Sequence, residues 1–132
     1  MRLYIGGRSQ GKTECCLSEQ TGAYVLLDGA LVAAGVPGAE EKHKDSHLIL
    51  NSLHEWVRGC VKEKIDPIEC MRKFLAMHPD ADIICDEVGN GVVPIDPFER
   101  EWREAVGRTL IFLAKEAESV TRVICGLPQK IK

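Results

Sequence analysis

Residues 6 to 13 read Gly6-Gly7-Arg8-Ser9-Gln10-Gly11-Lys12-Thr13, a complete G-x-x-x-x-G-K-T phosphate loop. Apolar Leu3-Tyr4-Ile5 precedes it and reads as a strand; a helical run from about Gly11 to Glu19 follows. That context is what such a loop requires: a strand delivers the chain into a tight turn and a helix leaves it. The glycines let backbone N–H groups close around phosphates. Lys12 reaches the β and γ oxygens, and the Thr13 hydroxyl is placed to ligate Mg²⁺. Gly6, Gly7, Arg8, Ser9, Gln10, Gly11, Lys12 and Thr13 are therefore expected to bind nucleotide phosphates. A chance glycine-rich turn is the alternative, and the strand before and helix after argue against it.

Outward from the loop, short apolar strands alternate with helical patterns, which argues an α/β fold with a mainly parallel sheet. Strands are expected at Arg2–Ile5, Ala23–Leu27, His47–Asn51, Ala81–Cys85 and Val120–Cys125, with a short edge strand in the tail from Gly126 to Lys132. Ser52 and Glu55 have the spacing of a capping box for a helix over Leu53–Lys64. Asp66-Pro67 and Asp96-Pro97 each read as a cap followed by proline at the first helical position, opening helices to about Met77 and about Glu118. Residues 28 to 46 are irregular, glycine-broken and then charged. A loop of that length in a small domain is usually functional or disordered. The expectation is a single P-loop NTPase-type domain over residues 1–132, a three-layer sandwich.

The chain has 132 residues, 45% hydrophobic and 28% charged, with a net charge of −3. That length supports one core, not two. The acidic balance argues against a nucleic-acid partner, which needs a surplus of Lys and Arg. No apolar run approaches a membrane span, and the N-terminus reads as a strand rather than a signal peptide, so a cytoplasmic location is expected. Cys15, Cys16, Cys60, Cys70, Cys85 and Cys125 form no C-x-x-C pair, so no zinc site is expected; they read as reduced thiols serving as small buried hydrophobes.

A phosphate loop needs an acidic partner at the end of a neighbouring parallel strand. Asp86-Glu87 follows Ile83-Ile84-Cys85 and fits. Asp86 is expected to hold a metal-bound water, and Glu87 to orient or deprotonate an acceptor hydroxyl. The bland reading is a pair of solvated acids at a strand end. The competing position, at the end of the third strand, carries Asn51, an amide that hydrogen-bonds but brings no charge. Two glycines then follow in Val88-Gly89-Asn90-Gly91-Val92-Val93-Pro94.

At this point the chain resembles a known family. Asp86 to Pro94 is similar to the E-V-G-x-G-x-V-P signature of the bifunctional adenosylcobinamide kinase/adenosylcobinamide-phosphate guanylyltransferases of cobalamin biosynthesis. The N-terminal loop is similar to the family's G-G-x-R-S-G-K-S, with interior residues shifted. Arg100, Trp102, Arg103 and Gly107-Arg108 follow its R-x-F-R-x-x-x-G-R pattern, and Ser119 to Lys132 resembles its closing strand and G-[IL]-P-x-x-[IL]-K tail. Leu48 to Trp56 resembles an apolar strand and D-C-L-T-x-W segment, with Asn51 in the acidic position and His54 in the threonine position. Family members run longer, and the missing residues fall between Asp45 and Leu48.

The resemblance implies two reactions. A nucleoside triphosphate, GTP or ATP with Mg²⁺, phosphorylates the aminopropanol hydroxyl of adenosylcobinamide. GMP is then transferred from GTP through a phosphohistidine-type intermediate. Glu41 to Asp45 resembles the stretch holding the GMP-accepting histidine, so His43 is the candidate nucleophile, with Lys44, Asp45 and Asn51 in nucleotide contact. His47 and His54 are weaker rivals. Asp28 either touches the nucleotide or only starts a turn. The catalytic set is then His43, Lys12 and Glu87, with Thr13 and Asp86 on the metal, a corrinoid as acceptor, and a homo-oligomer, a trimer in the family. The residue types favour the kinase step over guanylylation. The alternatives are a degenerate nucleotide-binding protein without turnover and a small kinase for a different alcohol.

Overall fold

The computed structural model describes residues 1–132. Six strands, β1 (Arg2–Gly6), β2 (Val25–Asp28), β3 (Leu48–Asn51), β4 (Asp82–Asp86), β5 (Ser119–Ile124) and β6 (Leu127–Lys130), form one sheet in the order β2-β3-β4-β1-β5-β6. All neighbours are parallel except β5 and β6. The helices are α1 (Lys12–Ser18), α2 (Leu53–Lys62), α3 (Pro67–Met77) and α4 (Pro97–Glu116), and a single 3₁₀ turn covers Glu41–His43. The chain is an α/β protein of the P-loop NTPase type.

The strand order dictates how the layers are filled. From β1 the chain passes through α1 to β2, at the far edge of the sheet. Each later parallel crossover, β2 to β3, β3 to β4 and β4 to β5, steps back the other way. Right-handed crossovers running in opposite directions lie on opposite faces. Hence α1 is alone on one face, while α2, α3, α4 and part of the long loop cover the other. The main core lies on that second face. Leu3, Leu48, Leu50, Ile83 and Val120 from the strands pack against Trp56, Val57, Met71, Phe74, Val106 and Leu113 from the helices. Val32, Ala34 and Val36 of the loop add to it. Burying each such side chain contributes roughly 1.5–3 kcal/mol. Under α1 the apolar contact shrinks to Tyr4, Cys16, Ile49 and Ile84.

The alternating pattern along the strands produces both faces at once, since Leu3 and Ile83 point one way and Tyr4 and Ile84 the other. Beside the small cluster stands a polar one. Asp82, fully buried, accepts from Arg2 Nε and Nη2 at 2.7 and 2.6 Å, from Gln20 Nε2 at 2.8 Å, and faces His47 Nε2 at 3.0 Å.

Asp66 and Asp96 cap α3 and α4 as the sequence leads one to expect, accepting from Ile68 N and Phe98 N at 3.0 and 2.9 Å. Ser52 does not cap α2. It sits at φ 56°, ψ 46° and makes no side-chain cap bond, whereas a capping side chain needs an extended backbone at that residue. Instead Asn51 Oδ1 accepts the Ser52 N–H at 2.9 Å. Nor is Cys125 buried in a strand. It is exposed, and with Gly126 forms the two-residue turn between β5 and β6, both residues at positive φ as a type I′ turn demands. The other cysteines are free and at least partly buried.

Candidate functional site

The register of the sheet assembles the site. Gly6 at the end of β1 lies opposite Asp86 at the end of β4. The loop that leaves Gly6 and the acids that follow β4 therefore open on the same, carboxyl-terminal edge of the sheet, where ligands of open α/β sheets bind.

Gly6 has no room for a side chain: a Cβ there would stand 2.4 Å from the Val123 carbonyl oxygen. Gly11, at φ 88°, turns the chain into α1. The far side of the loop is tied to the β5–β6 turn. Gln10 Oε1 accepts from Cys125 N, and the Gln10 carbonyl from Gly126 N, both at 2.8 Å. None of the amides of residues 7 to 11 donates to a main-chain carbonyl. Consecutive unspent N–H groups on a concave turn are what an anion's oxygens require. Lys12 is buried; its Nζ donates to the Gly7 carbonyl at 2.6 Å and meets Asp86 Oδ1 at 2.7 Å.

A cavity of about 620 Å³ spreads from this pair. Residues 8 to 13 of the loop form one wall. The facing wall is built by Asn51, Ser52, His54, Glu55 and Arg58, with Asp86, Glu87, Val88 and Trp102 completing it. Glu87 Oε2 accepts from Arg122 Nη2 at 3.0 Å. Arg58 is clamped by Glu99 at 2.6 and 3.2 Å and lies 3.8 Å over the Trp102 ring. His54 is largely enclosed. Burial pushes its pKa below the ordinary 6.5 against the pull of Asp86 and Glu55, favouring the neutral ring.

The sequence reading thus meets the structure unevenly. The phosphate loop, Thr13, Asn51, Asp86 and Glu87 come together around one cavity. Asp28 and His43 do not join them. Asp28 Oδ1 accepts from Ala30 N at 3.0 Å and starts a turn. His43, partly enclosed rather than exposed, pairs with Glu40 at 3.4 Å. Both line a separate cavity at the β2 edge, with β3 and β4 between β2 and the loop's own strand. Lys44 and Asp45 border another pocket with Leu48, His78 and Ala81. That pocket lies where β3 and β4 begin, the opposite end of the sheet from the loop. Residues that precede a parallel strand lie at the other end from residues that follow one.

His54, Glu55 and Arg58 also line this cavity, although no motif in the sequence marks them for it, and Trp102 joins them. Their signal was positional: α2 starts directly after β3, so its first turns stand on the ligand-binding edge. Trp102 does both jobs, packing in the core and donating Nε1 to the His54 carbonyl at 2.7 Å. Arg100 and Arg103 do not line this cavity. Their guanidinium groups donate to the carbonyls of Asn90, Val92, Pro94 and Ile95 and hold that loop against α4.

No cluster of three or more His, Cys, Asp or Glu side chains is arranged to hold a metal by itself, and no helix is long and apolar enough to cross a membrane. A search of curated proteins finds no match. A family model described as cobinamide kinase / cobinamide phosphate guanyltransferase matches residues 24–131. The match begins after the phosphate loop, so the loop's geometry and the family match are separate observations. Because the match spans most of the chain and the loop is joined to it through the Gly6–Asp86 register, the chain belongs to the cobinamide kinase / cobinamide phosphate guanyltransferase family.

Proposed function

We propose that the chain binds a nucleoside triphosphate with Mg²⁺ in the cavity between the phosphate loop and Asp86-Glu87, and transfers its terminal phosphoryl group to the hydroxyl of adenosylcobinamide. The observation that carries this reading is the contact of Lys12 with Asp86 at 2.7 Å beneath a run of unspent amides. Such catalysis is mainly positioning and charge neutralisation.

The charge of the cavity supports a metal. Glu14, Glu55, Asp86 and Glu87 line it against Arg8, Lys12 and Arg58, an acidic balance that repels a bare triphosphate. The Thr13 hydroxyl and Asp86 carboxylate are hard oxygen donors. Mg²⁺ is usually held by one or two such groups plus substrate phosphates and water, so the lack of a larger ligand cluster fits. When bound it neutralises charge on the phosphates. Lys12 supplies the fixed positive charge at the transferred group. Glu87, with one oxygen held by Arg122, orients the acceptor hydroxyl with the other. The family reading brings with it the corrinoid acceptor, a cytoplasmic setting and a homo-oligomer.

The kinase step is favoured over guanylylation because His43 lies outside this cavity, paired with Glu40. The test is incubation with labelled GTP or ATP and adenosylcobinamide. We expect label in the corrinoid as a phosphate ester and no acid-labile GMP on the protein. Covalent GMP that disappears in His43→Ala would reverse this preference. Binding without transfer to this or any other alcohol would leave a nucleotide-binding protein without turnover.

A further inference from the structure

His54 is held at three points. The Asp86 main-chain N–H donates to its Nδ1 at 3.3 Å, Trp102 Nε1 donates to its carbonyl at 2.7 Å, and the Trp102 ring lies against its own at 6.4 Å between centroids. A main-chain amide has only a proton to give. Nδ1 is therefore bare, and in the neutral ring the proton resides on Nε2. The acids nearest that N–H are Asp86 Oδ2 at 3.6 Å and Glu55 Oε1 at 3.7 Å. Both are beyond good hydrogen-bond distance. The ring lines the phosphate cavity, so an oriented donor borders that space with the nearest protein acceptors just outside hydrogen-bond distance.

We propose that His54 is a phosphate-binding residue whose Nε2–H donates to an oxygen of the terminal phosphate of the bound nucleoside triphosphate. This rests on reading the cavity as a nucleotide site. The choice of the terminal phosphate follows from Asp86. One of its oxygens meets Lys12 Nζ at 2.7 Å and the other is the one nearest His54. Lys12 is the loop residue that reaches the β and γ oxygens, so the lysine and the imidazole converge on one group from two sides. A neutral donor also adds no repulsion toward Lys12 and Arg58. This tautomer argues against a base or nucleophile acting through Nε2, which needs that nitrogen bare.

The test compares MgGTP with MgGDP by calorimetric titration of wild type, His54→Ala and His54→Gln. The glutamine amide nitrogen reaches about where Nε2 stands. We expect His54→Ala to weaken MgGTP about tenfold while MgGDP changes by no more than about twofold, the size of one hydrogen bond to a charged acceptor. His54→Gln should recover most of the loss. On the wild type, ¹⁵N spectra of the imidazole should show a bare Nδ1 and a protonated Nε2 whose resonance moves with MgGTP and not with MgGDP. Equal losses for the two nucleotides, no loss in the alanine variant, a glutamine variant as weak as alanine, or a protonated Nδ1 would each overturn the proposal. A wild-type chain that binds neither nucleotide would overturn the nucleotide site itself, an outcome distinct from all of these.

Discussion

The ammonium of Lys12 has two partners within the protein, the Gly7 carbonyl and Asp86 Oδ1. On the proposed reading, Asp86 has opposing effects on nucleotide binding. It would help hold Mg²⁺, yet it engages the lysine that phosphate needs and would repel a bare triphosphate. Asp86→Asn should weaken MgGTP about tenfold or more, while metal-free GTP in EDTA binds as well as or better than to wild type. Titrations with and without metal separate the two signs, and parallel losses would remove Asp86 from the metal site. At the other end of the sheet Asp82 is a structural acid. Burial raises its pKa, but the bonds from Arg2, Gln20 and His47 outweigh that and bring it below the ordinary 3.8. A depressed carboxylate contributes stability that is fully present above its unfolded pKa and lost as pH falls through the folded one. Urea unfolding of the wild type should therefore lose stability below about pH 4. Asp82→Asn should cost about 3 kcal/mol at neutral pH and flatten that acid limb; an unchanged limb would mean that Asp82 does not set it. The convergence of Lys12, Asp86 and Glu87 on one cavity was legible in the sequence because a phosphate loop and a strand-end acid form a local pattern with a known geometric requirement. His54 was not legible as a phosphate contact, because its tautomer is fixed by an amide 32 residues away.

Elements were legible where a side chain acts on its own turn. The Asp-Pro starts of α3 and α4 follow from one residue's bond to an amide two positions on. The Ser52–Glu55 capping box has the right letters, but the tight exit from β3 holds Ser52 in the left-handed region and its hydroxyl never reaches the amides. The end of α2 has a similar mismatch. Ile65 N donates to the Cys60 carbonyl at 2.9 Å and Lys64 N to that of Val61 at 3.2 Å, the pattern of a Schellman stop, with Lys64 at φ 56° where glycine is usual. The left-handed conformation costs a residue with a Cβ about 1 kcal/mol. Lys64→Gly should therefore raise stability by about 0.5–1 kcal/mol and the melting temperature by a few degrees. Calorimetric melting checks this, and a lower Tm would show that the lysine side chain contributes more than its backbone costs.

Across the whole molecule, alternation of strands and helices was enough to foresee a parallel α/β sheet, but not its order. That order explains the sites that sequence proximity suggested and space did not. Asp28 ends a strand on the edge, and Lys44 and Asp45 precede a strand rather than follow one. It also explains why a single seven-residue helix covers one face. Only the crossover from β1 to β2 runs in the direction that puts a helix there, and what it leaves is filled by four apolar side chains and the Asp82 network. That short helix leads directly out of the phosphate loop, so the integrity of this face and the shape of the cradle are coupled. The most direct measurement is calorimetric titration of the wild type and of Lys12→Ala with MgGTP and MgATP. Saturable binding of at least one nucleotide is expected, weakened at least about tenfold by the substitution. A folded wild-type chain with no affinity for either, or a Lys12→Ala chain that binds as tightly as wild type, would contradict a magnesium–triphosphate site at the loop.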